Sequence, residues 1–82
     1  MAHAKSYPLV EVTWVDSCTS GRWKPIEEYT RDSKLVECRS VGYLLQKTNR
    51  IVQIIQSLDE YGKGSDEVII PRSTVKRIRR LR

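Results

Sequence analysis

At 82 residues, the chain has room for one hydrophobic core, because two smaller cores would not bury enough apolar surface to offset the entropy of ordering them. A hydrophobic content of 39% with two Trp and four Tyr excludes a disordered chain, and the lack of an apolar run of about 18 residues excludes a spanning helix. Fifteen Lys and Arg against ten Asp and Glu give a net charge of +5, and the imbalance is local, with six basic residues and no acid from Pro71 onward.

Residues 1–8, MAHAKSYP, lack the apolar stretch of a signal peptide and read as a flexible leader to a single domain over 9–82. A cytoplasmic protein with no membrane association is expected. LVEVTWVD, 9–16, alternates and is rich in β-branched residues, so it reads as a strand with Val10, Val12 and Trp14 on a core face and Glu11 and Thr13 on the other. Residues 17–34 form a long excursion marked by Ser-Gly and Lys-Pro, in which PIEEY can make one helical turn with Pro25 near its start. Loops above about 12 to 15 residues tend to be functional or disordered; Trp23, Ile26 and Tyr29 in this one predict that it packs back on the body of the domain.

LVECRSVGYLLQK, 35–47, reads as a long strand bent at Gly42, with Val36 and Cys38 sharing a face. Thr48 and Asn49 supply a tight turn, Asn being suited to positive φ, and RIVQIIQSL, 50–58, returns beside it. A connection over 59–65 containing Gly62 and Gly64 leads to the short strand EVII, 67–70, which Pro71 ends. In the tail, Val75, Ile78 and Leu81 recur every third residue, which fits a short basic helix as well as a twisted strand entered through a helical turn. The strand is preferred because it can close the edges that the first and fourth strands would otherwise leave open. The fold predicted is all-β: a small five-stranded, strongly bent barrel with a long first loop and a helical turn before the last strand. Domains of this size often gain stability by association, so a homo-oligomer is expected.

The residues of catalysis are missing. His3 is the sole histidine and lies in the leader, so no His-based acid or base can be placed in a buried site. Cys18 and Cys38 are twenty positions apart without further ligands, a pattern of reduced thiols and not of zinc. The acid pairs Glu27–Glu28 and Asp59–Glu60 read as solvated loop residues, and GKGS is too short for a phosphate loop. No enzyme activity, metal or cofactor is expected.

What remains is a constellation for binding a phosphate-bearing nucleotide or nucleic acid. Trp23 lies between Arg22 and Lys24, where an indole can stack on a base while the cations meet phosphate; it can equally anchor the loop. Tyr29 and Tyr43 offer a second stacking face or ordinary packing. Arg72 and Ser73 follow Pro71 at the start of a helical turn, where N–H groups, a hydroxyl and a guanidinium can meet an anion, although Ser73 or Thr74 can simply cap the turn. On a terminal strand, Arg77 and Arg79 share one face and Lys76 and Arg80 the other, so only one set can line a site.

The order of elements, the Gly42 bend in VGYLL and the passage VIIPRSTVKRI resemble small barrels of the Src-homology and Sm-like type over about residues 9 to 81. The first loop departs from the Pro-motif-binding members of that group, since Trp23 and Tyr29 sit beside Arg22 and Lys24 with only Glu27, Glu28 and Asp32 as acids, which argues against a Pro-rich ligand. Taken whole, VEVTWVDSC, the Trp-bearing loop and IPRSTVKRIRRL also resemble small bacteriophage proteins. That resemblance implies an oligomer in the host cytoplasm, some such proteins being inhibitors of host defence that sequester nucleotide signals without chemistry.

Overall fold

The computed structural model describes residues 6–17, 21–31 and 33–82; His3, Cys18 and Asp32 lie outside the described residues. The chain runs through β1 (Leu9–Asp16), α1 (Ile26–Arg31), β2 (Val36–Lys47), β3 (Ile51–Leu58), β4 (Gly64–Pro71), a 3-10 turn (Arg72–Thr74) and β5 (Val75–Arg80). The five strands make one sheet in the order β4-β3-β2-β1-β5, and each neighbouring pair is antiparallel.

Alternation along β1 decides the inside and the outside. Val10 and Val12 are buried, and Val52 and Ile54 of β3 and Ile70 of β4 join them in one cluster. Trp14, Leu44, Val68, Val75 and Ile78 pack against it partly buried. These side chains all project from one face, as the register pairs Val12↔Ile78, Ile54↔Val68 and Val52↔Ile70 require. A flat sheet could not remove Val12, Val52 and Ile54 from solvent completely, as here, without a second layer, and α1 buries none of its residues. The sheet must therefore supply its own cover by curling over that face. Gly42 permits the curl: a Cβ there would lie 2.9 Å from the Ile55 carbonyl oxygen and 3.2 Å from Ile54 Cβ, closer than packed atoms tolerate.

β5 pairs only with β1, leaving β4 and β5 as the two edges. The last strand, expected to cover the open edges of both the first and the fourth, covers that of β1 alone, and the sheet is not closed. The tail takes the preferred alternative, a strand entered through a helical turn and not a basic helix: a 3-10 turn followed by β5.

The β2–β3 turn corrects another expectation. Asn49 does not take positive φ; among the described non-glycine residues only Asp66 does. The Thr48 hydroxyl holds the turn by accepting the N–H groups of Arg50 and Ile51 at 3.1 and 3.0 Å, and a hydroxyl that satisfies two donors removes the need for a left-handed residue. The β3–β4 turn works similarly: Asp59 Oδ1 accepts from the N–H groups of Tyr61 and Lys63, and Gly62 takes φ 84°.

The first loop does not pack back. The β1–β2 ladder runs out to Asp16↔Val36 while β5 stops at Trp14, so the hairpin leaves the sheet as an arm. Trp23 is fully exposed and Ile26 74% exposed, with Leu35 and Val36 exposed near the base. Bonds inside the arm replace the expected anchoring: the Tyr29 hydroxyl donates to the Arg22 carbonyl and Lys24 Nζ lies 4.3 Å from the Tyr29 ring centre. The radius of gyration is 17.0 Å and the longest extent 62 Å against 21 Å across, whereas a compact chain of this length would have a radius near 12 Å.

Candidate anion-binding face

Residues directly opposite on neighbouring strands point to the same side of a sheet, so the registers define an outer face away from the core. Its first row is Arg39, Thr13 and Arg77, from β2, β1 and β5. Val41, Glu11 and Arg79 form the second row, and Tyr43 and Leu9 the third. Successive rows are two residues, or about 7 Å, apart along the strands.

Thr13 is the one buried polar side chain among the described residues, 8% exposed, and the two arginines opposite it are exposed. Two acids are already engaged. Arg79 Nη2 lies 3.3 Å from Glu11 Oε1, and Lys76 Nζ lies 3.1 Å from Glu37 Oε1. Arg39 and Arg77 make no ion pair or side-chain hydrogen bond among the described residues. The Glu37 carboxyl is held below its ordinary value, first by the hydrogen bond from Lys76 and then by that ammonium's charge, with Arg39 and Arg77 adding to the pull. Lys76 reaches this side because the β1–β5 register shifts between Thr13 and Trp14; the expectation that it shares the opposite face with Arg80 assumed an unbroken strand.

At the Leu9 end of the sheet, where the outer row of Leu9 and Tyr43 meets Arg80 opposite the core residue Val10, lies a cavity of about 350 Å³ lined by Ser6, Tyr7, Pro8, Leu9, Tyr43, Arg80 and Arg82. Backbone pairing holds its walls: Leu44 N–H donates to the Pro8 carbonyl at 2.8 Å, and Leu9 N–H to the Arg82 carbonyl at 3.1 Å. Leu81 and Arg82 N–H groups return to the Leu9 carbonyl at 2.8 and 3.2 Å. Two tyrosines and two arginines thus line one opening of a size that takes a small ligand, with Arg80 Nε donating to the Arg82 carbonyl at 3.3 Å.

No family model, curated protein or solved structure matches this chain. The candidate site stands on its geometry alone.

The residues singled out from the sequence fall in four places. Arg22, Trp23, Lys24 and Tyr29 are on the arm, where Tyr29 is engaged with the other two polar residues and Trp23 projects alone. Tyr43 is in the cavity wall, and Arg77 and Arg79 are on the outer face. Arg72 and Ser73 are in the 3-10 turn, where Arg72 N–H is already bonded to the Arg50 carbonyl at 2.8 Å and Thr74 Oγ1 donates to the Pro71 carbonyl at 2.8 Å. Arg72 Nη1 is buried without a hydrogen-bond partner. Sequence reasoning missed Arg39 and Tyr7. The signal for Arg39 was its odd-numbered place among Glu37, Val41 and Tyr43 in a strand; nothing in the leader marked Tyr7.

Proposed function

We propose that the protein is a non-catalytic binding protein for a phosphorylated, nucleotide-type ligand, and that its curled sheet is a small barrel left open between β4 and β5. The observation that carries the reading is the meeting of Tyr7, Tyr43, Arg80 and Arg82 around one cavity. A phenol ring offers a stacking surface for a base, and a guanidinium offers a fork for phosphate. The excess positive charge of the tail favours an anionic ligand over a neutral one. Withdrawal of a signalling nucleotide from solution is a role that such a protein can perform without turnover.

Isothermal titration with mononucleotides and cyclic nucleotides tests this directly. Saturable binding is expected, weakened by about 1.5 to 3 kcal/mol in Arg82→Ala if its contact is charge-assisted, and weakened again in Tyr43→Ala. Absence of binding by a folded sample, or affinity untouched by both substitutions, removes the reading. A second reading, an adaptor docking on an acidic protein, is favoured by the exposed Trp23 and Ile26 of the arm; it requires loss of partner capture in Trp23→Ala with nucleotide binding intact.

A further inference from the structure

We infer that the outer face of β1, β2 and β5 is a track for the backbone of single-stranded nucleic acid, running from the Arg39–Thr13–Arg77 row towards Tyr43. The inference rests on the nucleotide reading for one end of the track and on separate residues for the rest. Its first support is charge. Glu11 and Glu37 each hold one cation of this face, which leaves Arg39 and Arg77 facing solvent on either side of Thr13. Their strands are two ladder spacings apart, or about 10 Å; both act on the Glu37 carboxylate only through its field, and with no ion pair of their own among the described residues each keeps its guanidinium fork for a further anion.

Distance supplies the second support. Arg39 is four residues along β2 from Tyr43, about 13 Å of extended strand. A single nucleotide seated at Tyr43 does not reach that far, whereas a chain of nucleotides does. The third support is what lies between. Val41 is exposed on the same face, and with Tyr43 it offers unpaired bases an apolar and aromatic surface of the kind that single-strand readers use. In a duplex those bases face each other, so the contact is lost.

Fluorescence anisotropy with thymidine monophosphate and an oligothymidylate of roughly ten nucleotides tests the track. The oligomer is expected to bind at least about tenfold more tightly than the monomer, and to weaken as salt rises from about 50 to about 200 mM. Arg39→Gln and Arg77→Gln should each flatten the log–log salt slope by about 0.7 and leave monomer affinity unchanged. Arg50→Gln, on the β2–β3 turn, should leave the slope as it is, and melting curves should match the unsubstituted protein throughout. Equal affinity for monomer and oligomer, an unchanged slope in the double Arg variant, or equally tight binding of duplex overturns the track. If the oligomer binds with the expected slopes while the monomer does not bind, the track stands and the cavity reading falls.

Discussion

Lys76 reaches past β1 to Glu37 on β2, with its ammonium 3.1 Å from the carboxylate. The pair spans three strands because an extra residue in β5 turns Lys76 onto the outer face. Glu37 therefore titrates below its ordinary value, mainly through the hydrogen bond and charge of Lys76. A carboxyl whose folded value is depressed stabilises the fold above its unfolded value and loses that contribution as pH falls through the folded one. Both side chains are about half exposed, at 58% and 47%, so the effect is small. In paired melts, Glu37→Gln should fall slightly below the unsubstituted protein near neutrality, and the difference should vanish in acid. A gap that persists at low pH would contradict the assignment.

Gly42→Ala should destabilise the domain by about 1 to 3 kcal/mol. The new methyl would meet the Ile55 carbonyl oxygen, and backbone cannot swing aside as a side-chain tip can. Urea denaturation would measure this, and an unchanged midpoint would mean that β3 does not press on Gly42.

Trp14 Nε1 donates to Ser40 Oγ at 3.0 Å on the core face. Ser40→Ala strands that half-buried indole N–H, at a cost of about 1 to 2 kcal/mol. The melting temperature should drop, and Trp14 emission should shift as its donor seeks water.

Trp23 buries nothing, so Trp23→Phe should leave stability within about 0.5 kcal/mol of the original. Acrylamide should quench Trp23 far more readily than Trp14. Trypsin should cut first after Arg22, Arg31 or Lys34, all exposed on the arm, before it reaches the strands, while Pro25 protects the bond after Lys24. Early cleavage within β3 or β5 would show instead that the sheet opens before the arm is attacked.

The strands were legible because burial imposes a period of two on their sequence: Val10, Val12 and Trp14 face the core, with Glu11 and Thr13 on the opposite face, where Thr13 alone is also buried. The 3-10 turn after Pro71 was legible from proline's fixed φ and the three-residue spacing that follows. The arm was not. Trp23, Ile26 and Tyr29 look like an apolar anchor in one dimension, but the reach of the β1–β2 ladder decides whether they return to the core. Asn49 misled for a related reason, since the hydroxyl of Thr48 does the work assigned to its backbone. The cavity joins residue 7 to residues 80 and 82, and no local pattern announces a meeting across the whole chain. The candidate residues named from the sequence have scattered positions, because charge is visible in composition while convergence is a property of register.

The free margin of β4 carries a further consequence. It ends in Val68, Ile69 and Ile70, and Ile69 is exposed, the kind of ribbon on which another molecule's backbone can template and grow into a fibril. Three features blunt that growth: Asp66, with φ 63°, breaks the straight line of donors and acceptors; Asp66 and Glu67 place like charges where stacked copies would repel; and Pro71 withholds its N–H. The opposite margin, β5, carries Lys76, Arg77, Arg79 and Arg80, so each unpaired border of the sheet sets charge or a withheld donor against an approaching backbone.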